Sequence, residues 1–222
     1  MNSAVRVSLN TTPQHAQRLV DLQAAFAAVC NALAPLVQQT RCWNRVALHH
    51  MAYKQLRQQF PELGSQMVCN AIYSVSRACR VVYQHPQSPF NLSRLGDKPL
   101  PRLQFLPQSP VYFDRHTLSI KDGQVSMYTL DGRMRFQINL APGDEDRFRN
   151  EKLREIVLAG KGGSFQLSFL FAQATGDEAD DGDTAHPRGA AAELPEYVVV
   201  LPDDTFTPPP SMPRTANASL SP

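Results

Sequence analysis

The chain has 222 residues, enough for one large domain or two small ones, with an apolar share of 42% that is ordinary for a globular protein. No apolar run approaches membrane-spanning length, and Met1–Asn10 lacks the apolar core of a secretory leader, so neither a membrane protein nor a secreted one is expected. The net charge of +2 hides an asymmetry: residues 1–174 carry 20 Lys+Arg against 11 Asp+Glu, whereas residues 175–222 carry 2 against 9. A basic body suits a polyanionic partner, and an acidic tail can solubilise or mask such a surface; the plainer alternative is a solvated surface with a disordered tail.

Ala4–Leu9 alternates, with Val5, Val7 and Leu9 on one face, and predicts a short strand. Thr12 as N-cap and Pro13 at the first helical position open a helix with an apolar stripe at Leu19, Leu22, Phe26, Val29, Leu33 and Leu36; Pro35 should kink or end it. Asn44 caps a second helix running to Phe60, with Leu48, Ala52, Leu56 and Phe60 inside. Its other positions include Arg45, His49, His50, Tyr53, Lys54 and Arg57. After Pro61 and Gly64, Ser65 caps a third helix to about Tyr83. Val68, Ala71, Ile72, Val75, Cys79 and Val82 form its core stripe, and Gln66, Asn70, Tyr73, Arg77, Arg80 and Gln84 the opposite one. Amides, an aromatic and two arginines on one helical face suit phosphates and base edges.

Pro86–Pro101 reads as a loop and Arg102–Leu106 as a short strand. Val111–Leu140 contains Asp122-Gly123 and Asp131-Gly132 between alternating runs, the pattern of a three-stranded meander. One face carries Val125, Met127, Met134, Phe136, Ile138 and Leu140; the other offers Arg133, Arg135, Gln137 and Asn139. Gly143–Ala159 opens with an acidic turn and reads as a helix, and Lys161-Gly162-Gly163 turns into a strand at Ser164–Phe171. Gly176–Ala192 reads as a flexible acidic linker, Glu196–Leu201 can add a last strand, and Pro202–Pro222 cannot bury a core.

The expected fold is α+β: a small OB-like antiparallel barrel (residues 1–10 and 100–174), a helical domain with its linker inserted after the first strand (11–99), and a mostly disordered tail (175–222). Cys30, Cys42, Cys69 and Cys79 show no C-x-x-C spacing; buried free thiols in a reducing, cytoplasmic compartment are expected, without a zinc site. No phosphate-cradling glycine loop and no nucleophile motif emerges, and His49-His50 lacks a second ligand pair. Asp203-Asp204 is the only carboxylate pair at a strand end, and a metal-dependent nuclease needs carboxylates from separate elements. No enzyme, metal or cofactor is expected.

Three stretches carry a family resemblance: Leu48–Tyr83, the meander from Val111, and Leu153–Leu158 running into KGGSFQLSFLF. With the opening RVSLNTTPQHAQRLVDLQAAF, they resemble in order the N-terminal half of the TnpB family, transposon-encoded RNA-guided nucleases related to type V CRISPR effectors. The resemblance implies a wedge barrel and a helical recognition domain that hold guide RNA and read a short motif beside the DNA target. It places Ser65, Gln66, Cys69 and Asn70 at the motif duplex, with Cys69 standing where the family carries an amide. It makes Arg77, Arg80, Arg133 and Arg135 backbone contacts. After FLFAQA, where the family continues into a RuvC-like nuclease, the chain runs into GDEADDGD and a proline-rich end. The expectation is a nuclease-less protein that binds guide-like RNA, and double-stranded DNA as a further target, as a regulator or as one subunit of a split effector. The alternative is a protein-interaction module docking on a nuclease or transposase partner.

Overall fold

The computed structural model describes residues 4–171 and 195–201. Their architecture is α+β, and the first strand explains how its two parts are joined. β1 (Ala4–Leu9) pairs antiparallel with β8 (Ser164–Phe171), far along the sequence, with Val5 opposite Phe169 and Val7 opposite Leu167. The helices α1 (Pro13–Thr40), α2 (Arg45–Gln59) and α3 (Ser65–Cys79) leave and return between them. Both strands alternate buried and exposed residues, as a half-covered sheet requires.

Thr12 caps α1 by accepting from the His15 N–H at 3.2 Å, and Asn44 caps α2 by accepting from the Ala47 N–H at 3.0 Å. Pro35 neither ends nor breaks α1, which runs on to Thr40; Leu33, Ala34 and Val37 are all buried around it, so packing outweighs the missing N–H. Gly64 rather than Ser65 is the N-cap of α3, and Ser65 is its first helical residue. α3 closes in a π-helical turn, Arg80–Gln84. A single-turn helix, α4 (Leu92–Leu95), follows.

By length and composition α1 could also cross a membrane, with a mean hydropathy of 1.6 over an 18-residue window, which corrects the expectation that no run approaches that length. Its alanines raise the hydropathy without forming one contiguous leucine-rich block. In the fold, Leu19, Leu22, Phe26, Val29, Cys30 and Leu33 are essentially sealed in the core.

The second correction lies at residues 143–159. Only α5 (Pro142–Asn150) is helical there; β7 (Leu153–Lys161) follows it and forms a hairpin with β8. The two-residue loop Gly162-Gly163 has φ of 64° and 86°, which suits a type I′ turn and sets this register. Ile156 and Leu158 alternate inward, a spacing of two that a short apolar run conceals. A bulge falls between Leu153 and Glu155. β3 (Val111–Phe113) pairs with β7 and completes a sheet ordered β1-β8-β7-β3, so the first run of the expected meander belongs to another sheet.

The meander itself is β4 (Leu118–Lys121), β5 (Gln124–Thr129) and β6 (Gly132–Gln137). Asp122 and Gly123 take φ of 50° and 69°, a two-residue turn of the expected kind. In the second hairpin Thr129 pairs with Gly132, so Leu130-Asp131 is the loop and Gly132 (φ 88°) opens the next strand. A two-stranded sheet pairs β2 (Arg102–Phe105) with β9 (Val198–Leu201), as the EYVVVL run suggested. The described strands thus form three hydrogen-bonded sheets and do not close into one ring. Helices and sheets bury one continuous cluster, in which Phe26, Ile72, Phe105, Val111, Met127 and Phe169 all take part. The expected linker 176–192 and terminal tail 202–222 lie outside the described residues.

One residue shows how tightly the β7–β8 hairpin is closed. Gly160 pairs with Phe165, and a Cβ at 160 would enter the space of the Phe165 ring and lie 2.7 Å from the Ser164 carbonyl oxygen. Gly160→Val is expected to cost about 2 kcal/mol as an overpacked site, read as a lowered urea midpoint. An unchanged midpoint would mean that the ring has room to turn away.

Candidate nucleic-acid interface

From Leu22 to Gly96 the chain contains one carboxylate, Glu62, against seven Lys and Arg. α2 has none at all, and the fold turns much of its basic complement outward. Leu48, Ala52 and Leu56 are buried at steps of four, which leaves Arg45, His50 and Lys54 exposed and His49, Tyr53 and Arg57 half-buried. The His49 ring stacks on Tyr53 with centroids 4.6 Å apart. The Arg45 guanidinium lies 5.4 Å from the centre of the Tyr73 ring, which ties α2 to α3. Arg57 donates to the Leu63 carbonyl and so fastens the α2–α3 turn.

The polar stripe of α3 is engaged inside the fold more than its pattern implied. Gln66 donates to Asp114, whose other carboxylate oxygen accepts from the His116 and Thr117 N–H groups. Ser65 is exposed. Cys69 is half-buried, and burial raises its thiol above the usual range even though Arg45 pulls the other way. Asn70 is buried at 6% exposure, which corrects its placement on an outer stripe, and its Nδ2 has no hydrogen-bond partner. Arg80 bonds Ser76 Oγ at 3.3 Å.

Tyr73 and Arg77 meet a carboxylate that sequence reasoning missed. Arg77 Nη1 donates to both oxygens of Glu155, at 2.5 and 2.8 Å, and the Tyr73 hydroxyl donates to Oε1 at 3.0 Å. Glu155 stands on β7 at the bulge, with 10% of its side chain exposed against 46% for Arg77. Arg77 also lies 5.8 Å from the Tyr112 ring, and Tyr112 hydrogen-bonds the Tyr197 hydroxyl that the chain brings back just before β9. The signal was present, because a carboxylate in an alternating strand opposite an arginine-bearing helix needs a cation when buried. Reading residues 143–159 as a helix hid it.

The phenols of this cluster carry a pH consequence. Burial raises Tyr73, Tyr112 and Tyr197 above the ordinary value of 10.0, with Glu155 adding to the effect on Tyr73. A raised folded value favours the neutral phenol, so its contribution to stability is complete below pH 10 and is lost as pH climbs through the folded values. Tyrosinate absorbance should therefore rise together with the loss of far-UV circular dichroism above that pH. A full tyrosinate signal from a still-folded protein would contradict the burial.

On the meander, Arg133 and Arg135 project from the exposed face of β6 as expected. Arg133 stacks 4.1 Å from the Tyr128 ring centre and donates to Ser126 Oγ at 3.0 Å, so its local partners hold it flat. Arg135 is exposed and makes no side-chain bond to the described residues. An open groove of about 970 Å³ lies elsewhere, between the end of β1, the start of α1 and the β7–β8 turn; among the described residues that line it, Glu196 alone is charged. Among the described residues no three His, Cys, Asp or Glu side chains gather as a metal site, and Asp203-Asp204 lies outside them.

The arrangement offers exposed cations on a carboxylate-free helix, rings already stacked beside them, and a second cationic face on the meander. No protein-family model matches the chain, and no curated protein matches it.

Proposed function

We propose that the chain binds RNA without cleaving it, in the manner of the recognition half of an RNA-guided effector, with duplex DNA or a separate nuclease subunit as further partners. The observation that carries this reading is the segment from Leu22 to Gly96, which holds a single carboxylate while its exposed cations on α2 stand next to stacked rings. Cations bind the phosphate chain and ring faces accept unpaired bases, the combination that single-stranded RNA requires. The pairing of β1 with β8 across the helices supports the TnpB-like part of the proposal, in which an OB-like wedge carries an inserted helical domain. In that part, Ser65, Gln66 and Cys69 at the start of α3 face the target motif.

The test is a salt series on nuclease-treated protein with a fluorescent structured RNA. Affinity should fall steeply between about 50 and 200 mM salt as counterions are released. Binding that is flat with salt, or absent at low salt, would remove the proposal.

A second reading has its own observation. Gln66, Tyr73 and Arg77 are already bonded within the fold, and the chain accepts a late strand on β2. Both fit a module that docks on protein. A stoichiometric protein complex that survives nuclease digestion would favour it.

A further inference from the structure

The groove between β1, α1 and the β7–β8 turn is walled by separate parts of the chain, and the bonds that fix those walls leave other polar groups unspent. Thr11 Oγ1 donates to the Gly163 carbonyl at 3.2 Å and ties the β1–α1 link to the β7–β8 turn. On another side, Gln23 of α1 donates to the carbonyls of Gln108 and Ser109 at 3.0 and 3.3 Å. The Tyr197 carbonyl accepts from the Leu106 N–H at 2.9 Å, and the Tyr197 hydroxyl is hydrogen-bonded by buried Tyr112. The walls are thus set in advance of any ligand, as in most binding pockets.

Part of the lining is the end of the four-stranded sheet. Ser8 stands opposite Gln166, and Gln166 opposite Ala159, in one row across β1, β8 and β7. All three are exposed. Two small residues flanking one long amide leave room for a flat ring close to the sheet, with the amide at its edge. Asn10, Gln108 and Glu196 line the same groove. The side chains of Ser8, Asn10, Gln108, Gln166 and Glu196 are all exposed and make no bond to the described residues.

This set selects by chemistry. One carboxylate, with no cation among the described lining, disfavours a phosphate. Side-chain amides carry a donor and an acceptor in one plane and so match the edge of a base, whereas a carboxylate only accepts. Guanine presents two adjacent donors to a carboxylate, N1–H and the N2 amino group, and keeps O6 and N7 to accept from amides. Uracil offers one donor between two acceptors.

We propose that this groove is a base pocket for an unpaired guanine of RNA, with Glu196 accepting from the Watson–Crick edge and Gln108 and Gln166 donating to O6 and N7. The proposal rests on the RNA reading above and deepens it. The cations of α2 hold the phosphate chain without regard to sequence, and the groove adds a preference. Its targets are loops and single-stranded ends, where base edges are free.

The test compares three fluorescein-labelled RNAs on the full chain: a uridine decamer, and the same decamer with guanosine or adenosine at its centre. The central guanosine should tighten binding about tenfold over uridine, the scale of one good bidentate base contact. Adenosine, which lacks the N1–H donor, should gain less. In Glu196→Gln and in Gln166→Ala the guanosine-to-uridine ratio should fall toward one. Removal of an anion near a polyanion would, by charge alone, strengthen every RNA equally and leave that ratio as it was. Such a result in Glu196→Gln would overturn the pocket. Equal affinity of the native protein for all three RNAs would overturn it too, while leaving RNA binding in place. An equal gain from adenosine would overturn the choice of guanine. If none of the three binds at low salt, the RNA reading itself fails and the pocket with it.

Discussion

Arg77→Ala is expected to lower the stability of the protein by about 3 kcal/mol, the scale on which removing one partner strands a buried charge. Glu155 is the reason. Its carboxylate is nearly sealed; Arg77 donates to both of its oxygens, and the Tyr73 hydroxyl donates to Oε1. Taking away the half-exposed arginine removes the cation from the buried carboxylate and leaves it the neutral Tyr73 hydroxyl among its described donors. Adding Glu155→Leu should recover at least half of the loss, because a pair replaced by apolar groups no longer carries an unpaired charge. Urea midpoints of the two single variants and the double variant close the cycle. Two single effects that simply add in the double would show that the pair is not coupled. The same cycle bears on function: a residue placed by resemblance at the nucleic-acid backbone is used in the first instance to anchor α3 on β7.

The combined Arg45→Ala, Lys54→Ala and Arg135→Ala protein should bind RNA about 30-fold more weakly near 0.1 M salt. Its log–log salt slope should be shallower by about 2, as three lost phosphate contacts on a single strand imply. These three side chains are exposed, and none pairs with a carboxylate among the described residues. Their removal should lower the stability read from the urea midpoint by no more than about 1 kcal/mol, the scale of the lost Arg45–Tyr73 ring contact. Arg149→Ala is the matched control, since Arg149 is exposed on α5 and already faces Glu145 and Asp146. Equal weakening by the control would show a general charge effect and no particular face.

Elements with local signatures are legible in the amino-acid sequence. The caps Thr12 and Asn44, the Asp122-Gly123 and Gly162-Gly163 turns and the inward residues of the meander depend on short-range chemistry. Three features depend on tertiary context. α1 continues through Pro35 because its neighbours are buried. β7 is concealed because Leu153, Ile156 and Val157 also fit a helical stripe, and only its pairing with β3 and β8 decides the period. The assignment of β3 and β4 to different sheets is likewise invisible in two adjacent alternating runs. The candidate interface divides in the same way. The cationic face of α2 follows from its own periodicity. The inward turn of Asn70, Tyr73 and Arg77 follows only once α3 packs beside β3 and Glu155 lies opposite.

The measurement that tests the central claim most directly is to purify the protein from cells carrying its native genomic neighbourhood, without nuclease, and to sequence what co-purifies. RNA binding of the proposed kind predicts one discrete RNA species in near-stoichiometric amount, lost from the Arg45→Ala, Lys54→Ala, Arg135→Ala protein. A preparation free of nucleic acid, above all one with a single protein companion, would contradict it and make the basic face of α2 a docking surface.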